Sequence, residues 1–409
     1  MREGWGHHKI DEFCLVTDYV ANGSFASLKE NVQYLDQLDF AMLIRYTDHA
    51  NGWNGRHKYV SESAYKFLRK SSLKPGDLIM ANVGDPGNAF LLPNLGMPTT
   101  LGPNSILIRA EKEITSNEFL HYFFLSLEGR QLIDEISAGA AQRKFNKTSF
   151  RGLTIPLPPL EEQQRIVAVL DEAFEGLARA RAHAEANLQN ARELLAVSLD
   201  QIFGCDDPSW KTGSLSELCV IGDGNHSSKY PKKSEMVNEG IPFLRSSNIQ
   251  NGEIDQDEML YITEEKHAEL KKGHLKAGDV LFTNRGEIGK VAIIPEDLEG
   301  ANLNSQVAWL RCKAEIEHRF LFYFLQSGRM KRHYLDTQSG AALQQFTIKM
   351  LKAVSVSYPS HPEQEAAVVR IETIQNEISR LVTAYQSAAQ GLDDLRQSLL
   401  QKAFAGELT

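Results

Sequence analysis

Hydrophobic residues fall into two distinct rhythms along the chain. In one central stretch they recur every seven positions, as Leu170, Leu177, Ala184, Ala191 and Ser198, beside a second series of Phe174, Leu188, Leu195 and Ile202 that Arg181 interrupts. The C-terminal stretch repeats the rhythm more cleanly with Ile371, Ile378, Tyr385, Leu392 and Leu399, and with Ile374, Leu381, Ala388 and Leu395. A seven-residue period kept over about five heptads predicts the seam of a coiled coil. Each such helix, about 40 residues long, would extend roughly 60 Å. Ahead of each of these stretches the apolar runs are short, SILIRA and DLIMANV before the first and DVLFTNR and VAIIP before the second, punctuated by Gly, Pro and Asn. They predict a mixed globule of short strands, with one helix from about Asn117 to Ile136.

The handover from globule to helix is written PLPPLEEQQRIV, from Pro156 to Val167. Pro156, Pro158 and Pro159 enforce extended chain outside any strand ladder, up to a sharp helix start. Glu161 and Glu162 then fall in the first turn, where carboxylates suit the helix dipole. The stretch from Val356 to Val368, VSYPSHPEQEAAV, nearly says the same again. Having lost one proline and the leucine, this second entry is expected to differ from the first.

The echo is general. LKPGDLIM from Leu73 returns as LKAGDVLF from Leu275, FLHYFFLS from Phe119 as FLFYFLQS from Phe320, and GAAQRKF from Gly139 as GAALQQF from Gly340. Pro158 pairs with Pro359 and Phe203 with Phe404 at a separation of 201, while Cys14 pairs with Cys219 at 205. The small drift is what surface-loop insertions between two copies of one domain produce. The expected fold is α+β, two pseudo-symmetric mixed α/β heads joined by two long helices that form an antiparallel coiled coil. The expected boundaries are head one at 1–155, a central spacer helix at 156–204, head two at 205–355 and a C-terminal spacer helix at 356–409. A rod carrying two similar heads is a ruler. Duplex DNA, which presents its major groove about every 34 to 36 Å, is an object such a ruler would fit.

Charge first opposes that idea and then qualifies it. The formal net charge is −9. Residues 1–155 hold 17 basic and 17 acidic side chains and 205–355 hold 19 and 21, whereas 156–204 hold 4 and 8 and 356–409 hold 4 and 7. The heads are therefore near neutral and the helices carry most of the excess. Local basic clusters occur at Arg143, Lys144 and Lys147, and at Lys229, Lys232 and Lys233. Such a chain binds phosphate weakly unless a partner adds positive surface.

Catalytic signatures are missing from the sequence. GEIGK at 286–290 lacks the spacing and hydroxyl of a phosphate-binding loop, and Gly222-Asp223-Gly224 lacks the third glycine of a dinucleotide loop and reads as a tight turn. Cys14, Cys205, Cys219 and Cys312 form no Cys-x-x-Cys pair and read as buried thiols, with no metal site. No apolar run of about 18 residues and no signal-peptide layout occurs, so a cytoplasmic protein without membrane contact is expected.

PLPPLEEQQRIV, the duplicated heads and the chain end LRQSLLQKAFAGELT together resemble the specificity subunit of a type I restriction-modification system, over essentially the whole chain. The resemblance implies that the heads are target recognition domains, each reading half of a split, asymmetric DNA sequence, while the helices set the unread gap. It implies docking on two modification subunits that use S-adenosylmethionine to methylate adenine N6, and on restriction subunits that are ATP-driven motor-nucleases. No cofactor is expected in this chain, which would be non-catalytic by itself. An orphan or regulatory specificity-like scaffold in another phage-defence or methylation system is the alternative. An autonomous methyltransferase is opposed by the missing cofactor loop, and a purely structural coiled-coil adaptor would show no sequence-dependent DNA binding.

Base contacts are expected from loops whose landmarks pair between heads but whose flanks diverge. These are Arg45, Tyr46 and Asp48 against Arg245, Ser246 and Asn248, then Asn82 against Asn284 and Arg285, then Arg143, Lys144 and Lys147 against Gln344 and Gln345, with His226 and Lys229 added. Arginine can grip guanine, and Gln or Asn adenine, in the major groove. The helix seam and partner docking are assigned to Leu170, Phe174, Leu177, Leu188, Leu195 and Ile202, and to Ile371, Ile378, Leu381, Leu392, Leu395 and Leu399.

Overall fold

Strand pairing repeats itself in register between the two halves of a computed structural model that describes residues 4–139, 143–204, 207–225, 230–335 and 345–408. In the first half an antiparallel sheet runs in the order Cys14–Asp18, Ser105–Ala110, Leu78–Ala81, Ala89–Leu91. In the second half the order is Cys219–Asp223, Val307–Cys312, Val280–Thr283, Val291–Ile293. Ile108 faces Leu78 as Leu310 faces Val280. A second four-stranded sheet in each head contains one parallel pair, Ala41–Ile44 with Thr99–Leu101 and Ile241–Leu244 with Asn302–Leu303.

The repeated Gly-Asp of LKPGD and LKAGD explains part of this likeness. Asp77 and Asp279 are almost fully buried, and each caps its own turn by accepting from the backbone N–H of Lys74 or Lys276. Each also takes a fork of two bonds from an arginine on the central strand, Arg109 Nε at 2.7 Å and Arg311 Nε at 2.7 Å being one tine of each. Bidentate geometry of this kind fixes the turn to the sheet as well as neutralising the buried carboxylate.

The apolar stretch after Ser116 forms two helices, Asn117–Leu125 and Leu127–Ile136, where the sequence suggested one. Ser126 interrupts them because its hydroxyl accepts from Gly129 N–H and starts the second helix. Gly129 then lies so close to the Phe123 carbonyl that a Cβ would sit 2.1 Å from it. Ser327 performs the same division in the other head, between His318–Gln326 and Gly328–Leu335. Gly222 and Asp223 also differ from expectation, since they end a strand instead of making a turn. Of the cysteines, Cys14 and Cys219 are buried and Cys312 half-buried beside Cys219, while Cys205 lies outside the described residues.

Two long helices follow the heads, α1 at Leu160–Phe203 and α2 at His361–Ala405. Before α1, Pro156 does join a ladder, opposite His7 in the two-stranded pair of Gly6–Lys9 with Thr154–Leu157. A two-stranded pair is all edge, so a missing N–H is tolerated there. Gln163 then ties α1 to its head: the buried amide donates to the carbonyls of Ile114 at 3.0 Å and Pro158 at 2.9 Å, and accepts from the Thr115 hydroxyl at 2.7 Å. Gln364 repeats this with Glu315 O, Pro359 O and Glu317 N, so the altered second entry is built like the first.

The chain divides into two compact units, Met1–Ala184 with Ala388–Thr409, and Glu185–Ser387, so the division falls inside both helices. In the first unit the start of α1 packs beside the end of α2. Arg396 lies 4.8 Å over the Phe174 ring and Arg181 pairs with Asp393, so the helices run antiparallel. The arginine that breaks the heptad series thus serves as an interhelical ion pair. Leu170, Leu400, Ala403 and Phe404 share one core with Phe119 and Phe123. In the second unit Leu199 and Phe203 share a core with Val368, Ile371, Phe320 and Phe324.

Buried seam positions are Leu170, Ala184, Ala191, Ser198, Ile371 and Ile378. Phe174, Leu177, Leu188, Leu195, Ile202, Leu392 and Leu399 are half-buried. Leu381 and Leu395, assigned to the seam by their spacing, are 41% and 47% exposed. A pair of helices covers one narrow stripe, and small residues in that stripe leave the neighbouring series facing solvent.

Candidate nucleic-acid interface

Loops some sixty residues apart in sequence meet in the first head. Val83–Gly84 pairs antiparallel with Arg143–Lys144, Val83 opposite Lys144. The second head places Arg285 opposite Gln345 in the same way. The ribbon is rooted by an asparagine: Asn82 N donates to Asn104 O and its carbonyl accepts from Phe145 N, while Asn284 N donates to Gln306 O and its carbonyl accepts from Phe346 N. Phe145 and Phe346 are buried anchors. At the tip, Gly84 at φ 93° and Gly286 at φ 74° take the left-handed turn that side chains resist. Asn82 and Asn284 therefore position the ribbon and do not themselves protrude from it, and in both the side-chain oxygen is buried without a hydrogen-bond partner.

What the ribbon presents differs between heads. Arg143 and Lys144 are exposed in the first, although the Arg143 guanidinium is held by Asp134 at 2.7 Å, and Arg285 and Gln345 are exposed in the second. Gln344 lies outside the described residues, as do His226 and Lys229. Lys147 stands apart, bonded to Asp18 at 2.9 Å.

The remaining pairs are chiefly structural. Asp48 and Asn248, each nearly fully buried, cap the turns begun by Arg45 and Arg245, accepting from those backbone N–H groups at 2.9 and 3.0 Å. Buried side chains spent in this way offer no edge to a base. Asp48 also takes a fork from Arg45 and lies 3.4 Å from His57 Nδ1. Asn248 instead donates to Asp255 O at 3.1 Å, and Arg245, left without a carboxylate, reaches Glu258 O. Tyr46 packs by Phe90, where burial and Asp85 raise its hydroxyl pKa.

Ser246 does reach the ribbon. Its hydroxyl is 2.9 Å from Gln306 Oε1, on the residue whose carbonyl accepts from Asn284 N. Gln306 was not singled out by sequence, although it matches Asn104 at a separation of 202, a signal as good as those that were used.

The family model described as "Type I restriction modification DNA specificity domain" matches residues 3–183 and again 208–385. The type I restriction enzyme EcoKI specificity subunit of Escherichia coli K12 is 26% identical over 100% of this chain and 90% of its own length. The EcoBI specificity subunit of Escherichia coli is 25% identical, over 96% and 85%. Among solved structures, a chain from a study of complex assembly and conformational transition in the type I R-M system superposes with a TM-score of 0.75 at 22% identity, covering 100% of this chain and 99% of that one. The HsdS subunit from Thermoanaerobacter tengcongensis superposes with a TM-score of 0.62 at 23% identity, covering 100% and 98%.

Proposed function

Because the chain belongs to the family of the type I restriction modification DNA specificity domain, which matches it twice, we propose that each head reads one half of a bipartite, asymmetric DNA target. The observation that carries this reading is the ribbon: one frame in both heads, bearing Val83 and Lys144 in one and Arg285 and Gln345 in the other. Like frames with unlike readers yield two different half-sites. Arg285 suits guanine and Gln345 suits adenine in a major groove, whereas Lys144 suits a guanine edge or a phosphate.

The helices α1 and α2 are the spacer that sets the unread gap, and their exposed leucines, Leu381 and Leu395, offer apolar surface to partner subunits. Those partners are two modification subunits that bind S-adenosylmethionine and methylate adenine N6, joined by ATP-dependent restriction subunits. This chain supplies sequence choice and assembly, and the chemistry belongs to the partners. Its expected place is the cytoplasm, where those partners meet DNA.

Methylome sequencing of cells carrying the chain with its modification partner is the direct test, and two separate blocks of recognised bases flanking a fixed gap are expected. Exchanging head one while keeping Phe119 and Phe123 should replace one block alone. Loss of both blocks would show that the heads do not read independently. Methylation by the purified chain without any other subunit would overturn the non-catalytic assignment.

A further inference from the structure

We propose that a cavity in the first head binds a nucleobase. The cavity, of about 490 Å³, lies beside the ribbon and is bordered by Asn82 and Val83 themselves. Volumes of this order take a drug-sized or nucleoside-sized ligand. Three aromatic rings line it: Tyr19 and Tyr34, whose centroids are 6.4 Å apart in an edge-on pair, and Phe25, which is 83% exposed. An aromatic side chain left so open at a cavity mouth is a stacking surface without its stack.

The polar groups point to the ligand class. Ser105, only 2% exposed, borders the cavity, and its buried hydroxyl has no hydrogen-bond partner, whereas Val307 at the matching position of the second head has no hydroxyl. Leaving such groups unpaired is costly. A hydroxyl, which can both donate and accept, set among aromatic walls matches a planar heteroaromatic ring carrying a donor and an acceptor on one edge, as every nucleobase does. Lys29, also on the lining, supplies a cation for an attached phosphate.

The second head is not built this way at the matching positions. Gly224 and Val307 stand where the first head has Tyr19 and Ser105. A Cβ at Gly224 would lie 1.9 Å from the Asn304 carbonyl, so no ring can be placed there. Among the described residues, the ring and the hydroxyl that border this cavity therefore belong to the first head. Two sources share this chemistry, a base extruded from bound DNA and a free nucleoside, and only the first rests on the DNA-reading assignment.

The test uses the full chain with its modification subunits and the variants Phe25→Ala and Ser105→Ala. One removes an exposed ring and the other an unpartnered hydroxyl, so both should fold. With an extruded base, each variant weakens binding of the intact target at least about tenfold. Each variant also matches the unsubstituted chain on a duplex whose base is deleted at one position of the first half-site. With a free ligand, calorimetric titration with adenosine, cytidine, guanosine and thymidine finds saturable binding of at least one, abolished by both variants, while target affinity is unchanged. If no nucleoside binds and both variants bind every duplex as the unsubstituted complex does, the cavity proposal is overturned while the DNA reading stands. A complex that ignores its own target defeats the DNA reading, and the cavity proposal then survives only if a nucleoside binds.

Discussion

The ring of Phe404, near the end of α2, meets Phe119 of the first head edge-on with centroids 5.5 Å apart. Phe203, near the end of α1, meets Phe320 of the second head at 5.1 Å. Each long helix thus begins against one head and ends in the core of the other. Substituting Phe404→Ala removes a ring 7% exposed and should destabilise by about 3 kcal/mol, as large core deletions do. Urea melts of the full chain should show the loss in the first unit, and Phe203→Ala should place an equal loss in the second.

The helix starts depend on one amide each. Gln163→Ala would take from the Ile114 and Pro158 carbonyls and the Thr115 hydroxyl the hydrogen bonds that the amide makes with them. A cost of about 2 to 4 kcal/mol is expected. Gln364→Ala should cost a similar amount, because its donors face Glu315 and Pro359 in the same geometry. A thermal melt unchanged in both variants would contradict this account of the Glu-Gln motif.

Asp48 and Asn248 occupy matching caps, yet they are not interchangeable. Asp48 faces donors, the Arg45 guanidinium and His57, whereas Asn248 turns its amide toward the Asp255 carbonyl. Asp48→Asn and Asn248→Asp should each destabilise, by roughly 1 to 3 kcal/mol, since one loses charge-assisted bonds and the other sets a carboxylate against a carbonyl. Chemical denaturation of the two single variants checks both directions.

His121 supplies a pH dependence confined to the first head. Burial chiefly holds its pKa down, to about 4 from 6.5, with Arg396 and His49 adding, against the bond to the Ala89 carbonyl and the charge of Asp171. The unfolded chain therefore binds the extra proton first. Stability from this group is complete above about pH 6.5 and is lost as pH falls toward about 4, by roughly 3 kcal/mol in all. His121→Phe, which copies the residue at the matching position Phe322, should remove that component. Melts of the two proteins between pH 7 and pH 4 should diverge accordingly.

Much of this was legible in the residues. The 201-residue echo, the heptads and the Pro-Glu-Gln blocks declared two like heads and two long helices, because periodicity and proline act locally and leave their mark in order along the chain. Spacing also picked out Lys144, Arg285 and Gln345. It could not separate them from Asp48 and Asn248, since a polar residue at a loop landmark reads the same whether it faces solvent or caps a buried turn.

Burial and pairing across distance were decided by the tertiary structure alone. Only the folded chain turns Gly-Asp into an ion pair with an arginine thirty-two residues on, sets Gln163 as a tie between helix and head, and leaves Leu381 and Leu395 outside the seam. The sequence determined the two long helices, where each begins, and that the heads before them form twice. Which polar groups are exposed depends on what packs over them, and that is settled only when distant segments meet.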